Sequence, residues 1–153
     1  MKKKFLYIIG IPIGIAILAF AYYAVSPLFR NIKVDDLNPA TNSSAGTTSA
    51  QSIAPMNVIG TSGHPASGTV QIVEADSKRY IRYENFKTIN GPDIYVYLAK
   101  NLDAKEFINI GRVRATEGNI NYEIPAEVNV ADYPYVLIWC EAFGVLFNSA
   151  KLF

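Results

Sequence analysis

The chain has 153 residues, half of them hydrophobic, with 14 lysines and arginines against 13 acidic residues, and it contains one cysteine and one histidine. This length is sufficient for one domain of ordinary size plus an attachment, and the balanced charge gives no electrostatic footprint for nucleic acid. One cysteine cannot form an internal disulfide, and one histidine with one cysteine cannot build a blue-copper, iron–sulfur or thiolate-rich zinc site.

The N-terminus predicts a membrane anchor. Residues 5–25 carry no charge, and a stretch of about 20 apolar residues crosses the hydrocarbon layer as a helix. Three lysines precede it in the tail 1–4, so the positive-inside rule predicts a cytoplasmic N-terminus, with everything after the helix outside the cell membrane. A cleaved signal peptide is the alternative. Its apolar region runs about 7–15 residues, shorter than this one, which favours a single-pass anchor in the lipid bilayer.

Residues 26–55 form a juxtamembrane segment that continues into a flexible linker. The stretch 38–51 is rich in Ser, Thr, Asn, Ala and Gly and has no periodic apolar pattern, which is typical of a tether. The folded extracytoplasmic domain is therefore expected over residues 56–153.

Short strands separated by Gly, Pro and Asn turns fill this domain. The pattern predicts about eight of them and no amphipathic helix, with one helical or 3₁₀ turn over 128–133. The connections are too short for the helical crossovers of a parallel sheet, so the prediction is an antiparallel β-sandwich in preference to a small barrel. The predicted strands cover residues 56–61, 69–75, 78–86, 94–98, 107–115, 119–124, 135–140 and the chain from 145 onwards.

The strand over 135–140 is expected to lie at the centre of a sheet. Side chains alternate across a strand, so Val136, Ile138 and Cys140 share one face while Trp139 lies on the other, and both faces are apolar. A turn over 141–144 then starts the return strand of a hairpin. Cys140 is thus predicted at the end of a central strand, near the rim of the sandwich, and Trp139→Ala is expected to be among the most destabilising changes.

Cys140 and His64 are the candidate site residues. Cys140 is either a structural cysteine in the core or a redox thiol at the rim. His64, in a Gly/Pro-rich loop, is either solvated or meets Cys140 at one end of the sandwich, where the two are hypothetical ligands for a haem or a metal ion.

The chain contains no c-type haem motif, nucleophile elbow, phosphate loop or dinucleotide fingerprint, and no third group completes a cysteine hydrolase. It is therefore not expected to be an enzyme on its own.

Residues 57–153 carry an ordered set of short motifs. They are His64 with 67–72, 84–86, 90–98, Gly111, Gly118, 121–125, 133–136, 138–140, Phe143, Val145, Phe147, Ala150 and Leu152. In this order the motifs resemble the DM-thirteen domain, an exported β-rich module described as a predicted electron-transfer domain. The resemblance implies a compact β-sandwich whose signature cysteine, here Cys140, is redox-active by itself or through a bound haem. It also implies a separate redox partner protein, because no DOMON or reductase domain accompanies the module in this sequence.

The second hypothesis is a non-enzymatic cell-surface module for adhesion or ligand binding, in which Cys140 is structural. The numerous aromatic residues of the domain are compatible with both readings, since they pack across strands, relay electrons to Cys140, or stack on a sugar or polymer. They are Tyr80, Tyr83, Tyr95, Tyr97, Tyr122, Tyr133, Tyr135 and Trp139.

Overall fold

The computed structural model describes residues 2–42 and 54–153. It begins with helix α1 (Lys2–Val25), which contains Pro12, and continues into a 3₁₀ helix, Ser26–Phe29. The apolar stretch Tyr7–Phe29 has a mean hydropathy of 2.2 and is long and apolar enough to cross a membrane, by length and composition. It coincides with most of the segment for which the sequence predicts an anchor.

The regular structure in the rest of the described chain is almost entirely β-strand. Ten strands are present in it, together with the short helix α2 (Pro39–Asn42) and a 3₁₀ turn, Val130–Asp132, which lies within the segment predicted to contain one. The strands are β1 (Lys33–Asp35), β2 (Met56–Asn57), β3 (Ile59–Gly60), β4 (Ala66–Ala75), β5 (Lys78–Thr88), β6 (Ile94–Ala99), β7 (Phe107–Arg112), β8 (Glu117–Ile124), β9 (Tyr135–Cys140) and β10 (Val145–Lys151).

Two five-stranded sheets make up the fold, in the orders β1-β8-β5-β4-β2 and β3-β10-β9-β6-β7. All neighbouring strands are antiparallel except β1 and β8, which run parallel. The predicted antiparallel sandwich is confirmed. One of the two strands beyond the predicted eight arises because residues 56–61 do not form a single strand: β2 joins the first sheet and β3 joins the second.

The other additional strand is β1, which lies in the segment that the sequence assigns to the juxtamembrane region. Lys33 pairs with Glu117 in register, and their side chains form an ion pair at 2.7 Å. Gly118 has φ +115°, and the carbonyl of Val34 lies so close to it that a Cβ would clash. This edge of the sandwich therefore includes residues N-terminal to the predicted boundary at 56, and three residues are too few to show strand periodicity. Of the predicted linker over 38–51, residues 43–51 lie outside the described residues.

A single large core fills the space between the sheets. Its members are buried hydrophobic side chains from the inner faces of both sheets, and burying each side chain of this size contributes about 1.5–3 kcal/mol. Since the one cysteine is free, packing and hydrogen bonding stabilise the domain without a disulfide. The most completely enclosed members include Val70, Ile81, Val96, Leu98, Ile120, Val136 and Ile138.

A second, smaller cluster lies on the outer face of the second sheet. Tyr97, Ala99 and Leu137 are buried there beneath a surrounding layer of partly exposed side chains. Trp139 belongs to that layer and is only half-buried. The sequence predicts a deep core position for Trp139, whereas Ile138, on the opposite face of the strand, takes that position with 0% exposure.

Candidate functional site

Cys140 ends the central strand of the second sheet, as the sequence predicts. Strand β9 lies between β10 and β6, and Cys140 pairs in register with Val145 on one side and Ile94 on the other. Its side chain faces the main core and has 0% exposure. Cys140 is thus the last residue of its strand, but its sulfur is buried in the hydrophobic core.

The polypeptide reaches the surface one residue after Cys140. Residues 141–144 form an exposed turn, in which Gly144 adopts φ +61°, a left-handed conformation that glycine accepts at no steric cost. The Glu141 amide donates a hydrogen bond of 2.9 Å to the Asp93 carbonyl, which fixes the start of this turn against the loop before β6. The buried cysteine therefore directly precedes an exposed turn.

His64 is held by specific contacts in the loop between β3 and β4. Its ring stacks on Phe147 with centroids 4.1 Å apart, and its Nδ1 lies 3.0 Å from the Thr61 hydroxyl oxygen. The Thr61 hydroxyl also has two carbonyl acceptors, Leu146 at 2.9 Å and Phe147 at 3.1 Å, and with its one proton given to these, the proton in the His64–Thr61 contact is assigned to Nδ1. This tautomer leaves Nε2 as the ring nitrogen able to accept a proton or bind a metal ion.

The structure brings His64 and Cys140 to the same end of strand β10. The Phe147 ring stacks on His64 and belongs to the large core cluster of which Cys140 is also a member. Among the described residues, no hydrogen bond joins the imidazole to the sulfur. The two candidates thus lie at one end of β10 in different surroundings, His64 partly exposed and Cys140 buried.

This arrangement does not fit a haem ligated by both residues. The imidazole retains a free nitrogen, but the sulfur has no exposed surface, so the core at this end of the sandwich would have to open before a porphyrin could approach it. Within residues 2–42 and 54–153, no group of three or more His, Cys, Asp and Glu side chains is arranged to hold a metal ion.

A polar contact at the same end of the second sheet was missed by reasoning from the sequence. The Tyr97 hydroxyl donates a hydrogen bond to the Glu141 carboxylate, and the Asn109 amide donates a second one to the same oxygen at 3.2 Å. The Phe107 ring stacks on Tyr97 with centroids 4.0 Å apart. Burial, and then the hydrogen bond to Glu141, raise the pKa of Tyr97 well above its usual value.

The signal for this contact was only partly visible in the sequence. Alternation along β6 places Tyr95 and Tyr97 on one face, but nothing local shows that an acid 44 residues further along meets the second of them. The pairing of β6 with β9 brings the two residues together. Tyr97 pairs with Leu137, and Glu141 follows the end of β9 on the side of the sheet where Tyr97 lies.

A family model described as Electron transfer DM13 matches residues 58–152. The match covers well over half of the chain and nearly the whole sandwich. The chain belongs to the DM13 family. No curated protein and no solved structure matches it.

The DM13 match defines which features belong to the family module. It runs from β3 to the end of the sandwich and includes both Cys140 and His64, together with the contact between Tyr97 and Glu141. Helix α1 and strand β1 lie outside it, although β1 completes one edge of the first sheet. The resemblance drawn from the sequence motifs is thus confirmed over the folded domain.

Proposed function

We propose that this DM13 chain transfers electrons at a membrane surface and that Cys140 is the group that is oxidised and reduced. The observation that carries the proposal is the family match across nearly the whole sandwich, with Cys140 at the end of the central strand of the second sheet. Because Cys140 is enclosed, the proposal involves no direct attack on the sulfur by a reagent. One electron leaves the Cys140 thiol through the exposed turn 141–144 for a one-electron acceptor in a separate redox partner protein, the S–H bond breaks, and its proton passes to water at that turn. Reduction returns both the electron and the proton.

Helix α1 provides the tether in this proposal. Its apolar span and the lysines before it support a single-pass anchor with the sandwich on the extracytoplasmic side. Phe20 of α1 lies against Phe143 of the turn 141–144, with ring centroids 6.5 Å apart and nearly perpendicular. This contact supports an orientation in which the end of the sandwich that carries Cys140 faces the membrane.

No step of the proposal uses a haem or a metal ion. The surroundings of Cys140 and His64 give a haem no direct access to the sulfur, so the proposed redox chemistry rests on the protein's own side chains. Visible absorption of the full chain purified from membranes tests this directly. A Soret band that is lost in Cys140→Ala or His64→Ala would contradict the haem-free proposal.

Voltammetry of the full chain in detergent micelles tests the role of Cys140. The wild type is expected to exchange electrons with the electrode in a potential range where Cys140→Ala does not. Val145→Ala is the matched control, because Val145 pairs with Cys140 in register and loses a side chain at the same end of the sheet. A folded Cys140→Ala variant with an unchanged response would overturn the proposal.

The burial of Cys140 also favours the second candidate function, a cell-surface binding module with a structural cysteine. A sulfur with 0% exposure in an apolar core behaves as a small hydrophobic side chain. In that case Cys140→Ala leaves function intact, whereas changes to the exposed aromatic side chains Phe107 and Phe143 abolish binding to cells or matrix. The same variants therefore separate the two functions.

A further inference from the structure

We propose that Tyr97 and Glu141 form a proton-coupled redox pair, in which Tyr97 is oxidised by one electron and Glu141 takes its proton. This inference rests on the proposed function, electron transfer, and adds to it a second redox group on the outer face of the sheet that carries Cys140. It is carried by the hydrogen bond from the Tyr97 hydroxyl to the Glu141 carboxylate and by the surroundings of the two side chains.

The pair is well organised for a proton transfer. Tyr97 is only 2% exposed, and Phe107 covers its ring by stacking. Asn109 donates to the oxygen that accepts from Tyr97, so the carboxylate is positioned from two sides. A proton acceptor must lie within hydrogen-bond reach of its donor, and Glu141 meets this condition in the resting structure.

The two partners differ in their access to solvent. The phenol is enclosed, so it stays neutral and protonated at physiological pH, consistent with the raised pKa of Tyr97. Glu141 begins the exposed turn 141–144 and is itself exposed. A proton that moves from the phenol to the carboxylate therefore arrives where it can pass on to water.

The proposed step is balanced without any group inside the sandwich beyond the pair. One electron leaves Tyr97 for a strongly oxidising one-electron acceptor, such as a high-valent metal centre of the redox partner. The O–H bond of Tyr97 breaks, and an O–H bond forms on the Glu141 carboxylate. The products are a neutral tyrosyl radical and a carboxylic acid, and the reverse step returns the electron and the proton.

Tyr95 shows why the partner matters. It lies two residues before Tyr97, on the same face of β6, and packs in the same outer cluster. Its ring faces the Arg112 guanidinium, whose Cζ lies 5.8 Å from the ring centroid, and no described carboxylate accepts a hydrogen bond from its hydroxyl. A nearby cation disfavours loss of an electron and a missing base disfavours loss of the proton, so Tyr95 is the natural control for Tyr97.

One member of the pair, Glu141, is adjacent to Cys140 in the sequence. Glu141 follows Cys140 directly, and Trp139 belongs to the outer cluster into which Tyr97 packs. The end of β9 thus carries a thiol toward the inside and a phenol–carboxylate pair on the outside. Electrons delivered to this end reach the Tyr97 site without crossing the core.

The test is flash photolysis of the full chain in detergent micelles. A photo-oxidised ruthenium tris(bipyridine) complex serves as the one-electron oxidant, and the tyrosyl radical is followed by transient absorption and by electron paramagnetic resonance of frozen samples. Tyr97→Phe is expected to lose most of the radical signal, whereas Tyr95→Phe keeps it. Glu141→Gln, which retains an amide oxygen as acceptor for both hydrogen bonds, is expected to form the radical roughly 10²-fold more slowly, because a positioned base is removed.

Two results would overturn the inference: a radical signal in Tyr97→Phe equal to that of the wild type, or a rate in Glu141→Gln equal to the wild-type rate. Far-ultraviolet circular dichroism and thermal melting identify variants that remain folded. The same experiment on Cys140→Ala separates the two proposals. A normal radical in Cys140→Ala supports the Tyr97 pair whether or not voltammetry assigns a redox role to the thiol.

Discussion

The two faces of strand β9 differ in what they offer to chemistry. The inner face presents Val136, Ile138 and Cys140 to the large core, where each is at most 1% exposed. The outer face places Leu137 and Trp139 in a small cluster with solvent at its border. One strand therefore carries a sulfur buried in the hydrophobic core on one side and borders a hydrogen-bonded phenol and carboxylate on the other.

This difference separates stability from reactivity. Cys140 is enclosed in the apolar core, while the outer cluster combines an enclosed ring, an aligned acceptor and an exposed carboxylate. The inner face of β9 is thus expected to dominate folding, and the outer face to dominate proton-coupled chemistry. Substitutions on the two faces test this contrast.

The largest expected effect is on the inner face. Ile138→Ala removes a fully enclosed side chain from the main core, which typically costs about 2–5 kcal/mol of the free energy of unfolding. Trp139→Ala, on the half-buried outer face, is expected to cost less despite the larger side chain. Chemical denaturation of both variants checks this order, and an equal or larger loss for Trp139→Ala would contradict it.

Replacing the buried sulfur is expected to have the next largest effect. Cys140→Ser places a hydroxyl among apolar side chains, and an unsatisfied buried polar group costs about 1–3 kcal/mol. Cys140→Ala leaves no such group and is expected to be the more stable of the two variants. In the wild type, a thiol reagent is expected to label Cys140 only after denaturation. Labelling of the native protein at the rate of a free cysteine would show that the sandwich opens at this end.

Much of this contrast could be predicted from the sequence. Alternating β-branched and aromatic residues after Pro134 predict both the central strand and the opposite directions of Ile138 and Trp139, because side chains alternate along a strand. The end of that strand at Cys140 follows from the turn signal in 141–144. These features are local, and local patterns are what a single sequence displays.

Features set by long-range pairing were not predictable in the same way. Strand β1 pairs with residues more than 80 positions away, and its three residues carry no periodicity. The depth of Trp139 depends on what covers the outer face of β9, and no second sheet covers it within residues 2–42 and 54–153. Likewise, the partner of Tyr97 is decided by the register of β6 against β9, which the sequence of either strand alone does not specify.

Alkaline titration compares enclosed tyrosines in the two environments. Burial raises the pKa of Tyr83 in the main core, and burial with the hydrogen bond to Glu141 raises that of Tyr97 in the outer cluster. The native state therefore keeps these protons above about pH 10, where unfolded tyrosine ionises. Stability is fully present below that pH and falls above it, by about 1.4 kcal/mol per pH unit for each such tyrosine.

Single substitutions show how much each tyrosine contributes to the loss of stability at alkaline pH. Tyr83→Phe and Tyr97→Phe are each expected to flatten the fall in unfolding free energy above about pH 10, measured by urea denaturation at a series of pH values. Glu141→Gln is expected to change only the part that belongs to Tyr97, since Tyr83 lies in the other sheet. A slope that does not respond to Tyr97→Phe would show that its hydroxyl titrates freely in the folded protein.

The smallest expected effect lies within the outer face. Arg112 stacks over Tyr95 and pairs with Asp93 at 3.2 Å, but its side chain is 61% exposed, so Arg112→Gln is expected to cost only about 0.5–1 kcal/mol. Arg112→Lys, which keeps the charge, should cost less.

The effect of Arg112→Gln on redox chemistry is expected to be larger than its effect on stability, because removing the cation makes Tyr95 easier to oxidise. In flash photolysis, Arg112→Gln combined with Tyr97→Phe should regain part of the radical signal lost in Tyr97→Phe alone, and a signal that stays absent would show that the proton acceptor, not the local charge, selects Tyr97.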